Sequence, residues 1–325
     1  MKRFLSEEKY LVNAFLRACD QLGVDYKQAF KTLGLSRVLL SSPETFVPSH
    51  LFNAVLEAIA RDYHCRDLAL HIARNLTTPQ LGLAARIAAF SLDLRSGLAH
   101  ASRYALYYHD TGCWQYRIED QQVCLYKQAT PFTSQHIPQR NLLGTAQMFQ
   151  LLGLLTDKLW QPSSVSLSFS DPGYRFTETF EAFFQCHLVF DQDKDAIHFA
   201  EEYLDYSLGT ADPTMLHNLE TQVDGLQRAL FEDRPPVEQA RLIIDQRLRF
   251  SSCTAEELAT CMGMPLDQMT AIFDGVDTSF EEILEQQTVE RARYCLNRFS
   301  PPLTLVTGAL MPDDPARLAA LLTTS

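Results

Sequence analysis

In several short stretches between residues 114 and 200 the apolar residues of this chain recur at every second position, whereas on both flanks they follow the helical period, and no single regular element accommodates both spacings. In "CWQYRIED" Trp114, Tyr116 and Ile118 alternate with Gln115, Arg117 and Glu119, and "QQVCLYKQ" follows after a short break, which predicts a hairpin. "SVSLSFS" places Val165, Leu167 and Phe169 on one side with serines between them, the pattern of a half-buried strand. "HLVF" and "AIHFA" read as two more short strands separated by the polar turn "DQDKD". A long helical stretch, "IPQRNLLGTAQMFQLLGLLTDKLW", lies between the two β regions.

Before this region the chain is helical in pattern. Leu11, Phe15, Ala18 and Leu22 keep one face of a helix that Gly23 is placed to end, and further amphipathic stretches run over 49–63, 67–75 and 92–108. Pro48 and Ser49 make a start for the first of these. From Pro213 onward the pattern is again helical throughout, with "FEDRPP" as a polar, double-proline hinge. The expected architecture is an α+β domain over 1–210, a connecting helix and hinge over 211–235, and an all-α domain over 236–325. A length of 325 residues agrees with two domains at roughly 150 residues each.

Composition removes several classes. No run approaches the roughly 18 uninterrupted apolar residues of a membrane span: "LGLAARIAAF" is broken by Arg86, and "MFQLLGLL" is followed by Asp157 and Lys158. The opening "MKRFLSEEK" turns acidic before an apolar segment develops, so no secretory signal is read and a cytoplasmic location is expected. The eight cysteines lack CxxC spacing, which argues against a zinc site or a disulfide framework and for buried thiols. Cys186 and His187 are neighbours on a strand and point to opposite faces, so they make neither a metal pair nor a thiolate dyad. GxGxxG, Walker, GxSxG and HExxH motifs are absent; no enzyme activity, cofactor or metal is expected.

The last ninety residues carry the most structured signals. Thr254 and Glu257 form a capping box for a helix with Leu258 and Ala259 inward; Gly263 supplies a turn, and "PLDQMTAIF" begins a second helix with Pro265 at its start. Met269 and Phe273 are one turn apart and pack on the first helix. "TSFE" at 278–281 caps a third, long helix through Arg298. This is the plan of a helix-turn-helix, but its charges are wrong for DNA. The net charge is −12, lysine stops at Lys194, and between Arg249 and Arg291 there is no lysine or arginine. Phosphate neutralisation supplies most non-specific DNA affinity.

The arrangement "AEELATCMGM...TSFEEILEQQTVERARYCL" resembles the first helix-turn-helix and connecting helix of AraC/XylS-type transcription regulators. Three earlier stretches are similar to the arabinose-binding-like regulatory domain of one branch of that family: "ETFVPSHLFNAVLEAIARDYHCRDLALHIAR", "PQLGLAARIAAFSLDLRSGLAHASRYALYY" and "PGYRFTETFEAFFQCHLVFDQDKDAIHFAEEYLD". The resemblance covers nearly the whole chain and implies an effector-sensing domain followed by a DNA reader. The departures lie in the reader. Where the family carries basic residues, this chain has Pro265, Asp267, Ala271 and Ile272; Met311 and Pro312 stand at the Gly-Phe turn of the second helix-turn-helix, which is shortened and carries only Arg317.

Groove readout needs Arg, Lys, Asn or Gln near the start of the reading helix. Gln268 is the one suitable side chain, with Thr270 as a weaker contact; the alternative is ordinary helix-start chemistry for the Asp267–Gln268 pair. Arg291, Arg293 and Arg298 can touch phosphates from the third helix or pair with Glu285 and Glu290 on a solvated face. In the first domain, Tyr104, Tyr107, Tyr108, Trp114 and Tyr116 are candidates for an apolar pocket, with Arg103, His109 or Arg140 fixing an anionic head group; the alternative is core packing. Lys27 and Lys31, one turn apart, either hold a carboxylate or form a solvated face.

The resulting expectation is an effector-responsive regulator, with double-stranded DNA and a small apolar or fatty-acid-like effector as partners and a homodimer or a heterodimer with another regulator as assemblies. Ligand-biased reorientation about residues 232–237 would be its mechanism. The alternative is a relative without DNA contact that senses a ligand or modulates another regulator.

Overall fold

The computed structural model describes residues 6–35, 49–76, 82–108, 114–127, 137–157, 159–231, 234–248, 253–299, 302–311 and 313–323. The chain divides into two compact units, Met1–Ala29 with Asn53–Glu220 and Phe30–Phe52 with Thr221–Ser325. In order, the elements are α1 (Ser6–Leu22), α2 (Tyr26–Thr32), α3 (Ser49–Asp62), α4 (Leu68–Arg74), α5 (Gly82–Ala89), α6 (Leu94–Tyr108), β1 (Trp114–Glu119), β2 (Gln122–Lys127) and α7 (Pro138–Leu155). They continue with β3 (Ser164–Ser166), α8 (Tyr174–Phe184), β4 (His187–Val189), β5 (Ala196–Ala200), a 3-10 turn over Glu201–Asp205 and α9 (Pro213–Phe231). The C-terminal helices are α10 (Pro236–Leu248), α11 (Ala255–Met262), α12 (Leu266–Asp274), α13 (Phe280–Phe299), α14 (Leu303–Leu310) and α15 (Pro315–Thr323). An N-terminal mixed α/β region with a five-stranded sheet is thus followed by a helical C-terminal region.

The sheet order is β1-β2-β5-β3-β4, antiparallel except for the β3–β4 pair. Asp120 and Gln121 join β1 to β2 with φ of +49° and +63°, the paired left-handed residues of a tight hairpin. Although β4 and β5 are consecutive, β3 lies between them. Val123, Leu125, Val165, Leu188, Ile197 and Phe199 are all buried on one face, so the period-2 pattern names the core side of every strand but β1. The regular ladder of β3 ends at Ser166 although the alternation continues. The Ser168 amide bonds to Asp195 Oδ1 at 2.8 Å in place of a strand carbonyl.

Helix α7 forms the centre of the first unit: eleven of its residues are buried, including Gln139, Arg140 and Thr145, and it contacts α4, α5 and β5. A helix buried nearly all round has a weak amphipathic pattern, and its identity comes from length and apolar content. Phe149 on α7 packs on Trp160, Phe183 and Phe184 at ring distances of 5.4, 5.7 and 5.4 Å, and Trp160 meets Phe199 of β5 at 5.7 Å. This cluster meets α8, whose Phe176, Phe180, Phe183 and Phe184 stand at i, i+4, i+7 and i+8, the spacing of one helical face. Phe180 and Phe184 are buried, and Gly173 (φ +100°) and Gln185 (φ +56°) bound the helix.

The start of α7 is held from α3 and the turn after it. Glu57 accepts the Gln139 amide at 2.7 Å, and the Gln139 side chain donates to Arg66 O at 2.7 Å while accepting from the Ala69 amide at 3.0 Å. Burial pushes the Glu57 carboxyl up to about 7, although the Gln139 and Arg140 amides favour its ionised form. The folded state therefore holds this proton more tightly than the unfolded chain. The linked stability is full below about pH 4.5 and is lost as pH rises through about 7. Glu57→Gln keeps the acceptor and removes the titration. Thermal unfolding of the two proteins is expected to coincide near pH 5 and to separate toward pH 8, with the variant the more stable by roughly 2 kcal/mol once partial solvent access is allowed for. Parallel melting curves across this range would contradict the assignment.

Candidate functional site

The C-terminal unit is organised around α10, which contacts α11, α12 and α13. Ile243, Ile244 and Leu248 of α10 share a core with Leu258, Ala259, Met269, Phe273 and Ile283. Thr254 and Glu257 make both bonds of the capping box, Glu257 N to Thr254 Oγ1 at 3.2 Å and Thr254 N to Glu257 Oε2 at 3.1 Å. Gly263 ends α11 at φ +69°, a conformation that favours glycine. Pro265 then precedes α12, whose Met269 and Phe273 are buried. The third cap is displaced by one residue from the sequence expectation: Ser279 Oγ accepts from Glu282 N at 3.2 Å, and Thr278 donates to the Glu282 carboxylate.

The opposite side of α12 faces solvent. Gln268 is exposed there, and so is Thr270, whose hydroxyl donates to Leu266 O at 2.9 Å and is thereby drawn toward its own helix. Asp267, Ala271 and Asp274 are exposed beside them. The arginines go elsewhere. Arg291 is 7% exposed and bonded to the Asp245 carboxylate and carbonyl, so it joins α13 to α10. Arg247 is buried against Glu257 at 2.8 Å, locking α10 to the start of α11. Arg317 pairs with Glu285, and Arg241 donates to Gln286 at 2.8 Å. Arg293 is half-buried, with Nη2 enclosed and no hydrogen-bond partner among the described residues. The side chain of Arg298 lies outside the described residues, as does Pro312.

In the first unit, Trp114 and Tyr116 are half-buried on β1, and Ser102 Oγ donates to Trp114 O at 2.6 Å. The side chains of Arg103, Tyr104, Tyr107 and Tyr108 on α6, and the whole of His109, lie outside the described residues. Arg140 is buried at the start of α7, whereas Lys27 and Lys31 are exposed on α2. One polar group escaped the sequence reading. Lys127 is buried beside α7, its Nζ 3.8 Å from where a Cβ on Gly144 would stand, and its charge favours the ionised form of the buried Asp195. Burial raises the Asp195 carboxyl; the Ser168 amide and hydroxyl, at 2.8 and 2.9 Å, and Lys127 oppose that rise. Asn141 donates to Ser168 Oγ at 3.0 Å and links the group to α7. The signal was present: Val123, Leu125 and Lys127 keep one alternation, which carries a lysine onto the buried face.

Thiol chemistry is disfavoured. Burial pushes Cys19 and Cys253 up to about 12 and Cys65, Cys186 and Cys295 up to about 11. Among the described residues no group of three or more His, Cys, Asp and Glu is placed to hold a metal ion, and no helix is long and apolar enough to cross a membrane.

Residues 23–208 match the family model described as the arabinose-binding domain of AraC transcription regulator, N-terminal. The chain belongs to the AraC family of transcription regulators. The chain is also similar to the transcriptional regulator CdpR from Pseudomonas aeruginosa, a crystal structure, at 15% identity over 92% of this chain and 95% of that one, with a TM-score of 0.43. No curated protein matches.

In this AraC-family chain the buried ion pair of Arg291 carries an energetic consequence. Truncating Arg291 removes a buried guanidinium that bonds the Asp245 carboxylate and carbonyl and leaves the partly exposed Asp245 unpaired, so Arg291→Ala is expected to lower the unfolding free energy by about 2 kcal/mol, measured by urea denaturation. Arg317→Ala, at a solvent-exposed pair, should cost less than about 1 kcal/mol. Equal effects would remove the structural role assigned to Arg291.

Proposed function

We propose that this AraC-type regulator responds to an effector and that its α11–α12 pair keeps the scaffold of a helix-turn-helix reader while its DNA contacts have largely been replaced. The observation that carries this reading is the outward face of α12, where Asp267 and Asp274 flank Gln268 and no cation is present, while Arg247, Arg291 and Arg317 are bound to carboxylates of the same unit. Residues 1–210 act as the sensing domain, 211–235 as connecting helix and hinge, and 236–325 as the divergent reader, in the cytoplasm; residues 232 and 233 of the hinge lie outside the described residues. Half-buried Trp114 and Tyr116 with buried Arg140 support an apolar or fatty-acid-like effector with an anionic end. Helix α9, with Met215 exposed, is the segment through which two chains would pair.

Base readout in this scheme falls to Gln268 and Thr270, with Arg293 and Arg298 as the remaining phosphate contacts. A second reading is favoured by the internal pairing of the arginines: the chain touches no DNA and modulates another regulator. Purified protein would be incubated with sheared genomic DNA at about 50 and about 200 mM salt, with retained fragments sequenced. The first reading expects a few enriched sites with a shallow salt dependence, a log–log slope of about −2, because few phosphates are neutralised. Gln268→Ala would change which sites are enriched. Absence of retention at both salts would leave the second reading standing, and a steep slope with general retention would overturn both.

A further inference from the structure

We infer that the outer edge of β1 is a self-complementary pairing surface, on which a second copy of this chain adds its own β1 antiparallel about a two-fold axis at Ile118. This contact is separate from the pairing through α9 proposed above.

The hairpin decides which groups face outward. Glu119 and Gln122 flank the two-residue turn of Asp120 and Gln121, so they and the alternate pairs Arg117–Cys124 and Gln115–Tyr126 are the hydrogen-bonded pairs of the ladder. The amides and carbonyls of Trp114, Tyr116 and Ile118 therefore point away from β2. Trp114 O accepts from Ser102 Oγ at 2.6 Å, in agreement with that phase. Among the described residues nothing is bonded to the outward main-chain groups of Tyr116 and Ile118. Sheet edges are commonly blunted by shortness, bulges, proline or charge. At the other edge β4 has three residues, whereas β1 has six in an unbroken register without proline.

The second observation is apolar. Ile118 lies across from Val123, on the face where β2 and β5 carry the core. Val123 is fully buried and Ile118 is 38% exposed, so the apolar layer of the sheet runs out uncovered at this strand. A second Ile118 set beside the first continues that layer.

The third observation is charge, and it selects the register. Arg117 and Glu119 are exposed on the opposite face, 3.1 Å apart. A two-fold centred on Arg117 would oppose Arg117 to itself, and one centred on Glu119 would oppose Glu119 to itself. Centred on Tyr116, the axis would oppose Arg117 to Gln115 and draw the already bonded Trp114 into the ladder. Centred on Ile118, it opposes Arg117 of each chain to Glu119 of the other, in non-hydrogen-bonded pairs where side chains approach closest. The Ile118 amide of each chain then donates to the Ile118 carbonyl of the other. Hydrogen-bond phase, apolar contact and charge agree on this one isologous register. The ladder is short, so the dimer is a weak one.

The test follows the full-length protein by sedimentation velocity over a wide concentration range. Salt is held at about 150 mM, where screening over about 8 Å mutes the repulsion between two chains of net charge −12. A concentration-dependent dimer is expected. Arg117→Glu and Glu119→Arg, each alone, oppose like charges and are expected to weaken it by about tenfold or more. The double exchange Arg117→Glu/Glu119→Arg returns opposite charges to each pair at the wild-type net charge and is expected to restore the dimer. An equimolar mixture of the two single variants is expected to form a heterodimer. Ile118→Pro removes the outward amide without removing a donor to β2 and should abolish pairing. Circular dichroism melts verify that each variant is folded. Met215→Asp addresses the α9 contact and should leave this pattern of charge dependence in place. A monomer at every concentration, or a double exchange that fails to restore pairing, would overturn the inference. So would a dimer that is lost with Met215→Asp and indifferent to the β1 variants, a result that leaves the α9 contact standing.

Discussion

A helix buried on nearly every side must have the polar groups of its first turn bonded inside the protein, and α7 shows what that demands. Its first amides are met by Glu57 from α3, and the side chain of Gln139 ties the same turn to the α3–α4 connection. From this fixed start, Leu142, Leu143 and Ala146 are carried into the core and Phe149 into the aromatic group that holds α8 and Trp160. Another side of the helix brings Gly144 over Lys127 and Asn141 onto Ser168, which bonds the buried Asp195. Packing and polar satisfaction are one constraint here. Moving the helix would expose apolar surface and orphan buried charges together.

The C-terminal unit settles its electrostatics differently. Two of its arginines reach inward, Arg247 and Arg291, which clamp α10 to α11 and α13, while Arg317 meets Glu285 at an exposed pair. A buried pair contributes little net stability but is costly to break, so these residues are bound to structure before they are available to a partner. What remains outward on α11 and α12 is acidic. In this member of the AraC family, α11 and α12 are held by caps, a glycine turn and an apolar core, and the exposed charged residues described on them are acidic.

Much of this was legible because it rests on short-range rules. The hairpin, the inward side of β2, β3, β4 and β5, the Thr254 box and the Gly263 turn need only a few neighbouring residues to be specified. Even there, one cap slipped: Ser279, not Thr278, bonds the start of α13, because both residues offer a hydroxyl and either spacing meets a glutamate. Helix α8 was legible as well, since Phe176, Phe180, Phe183 and Phe184 keep one helical face, the one that meets Phe149. The candidate site divides in the same manner: Gln268 is where helical spacing puts it, on the open side of α12, whereas Arg291 reads as a surface residue until Asp245, on another helix, is beside it.

The sequence by itself determined the alternation of elements, the caps and turns of the last ninety residues, and the absence of cations between Arg249 and Arg291, because each is a property of spacing or composition along the chain. Only the tertiary structure decided that β3 lies between β4 and β5, that Lys127 and Asp195 are buried together against α7, and that Arg247 and Arg291 turn inward. Those outcomes depend on partners distant in sequence, and the cost of leaving a buried charge or amide unmet is set only once the fold has brought them together.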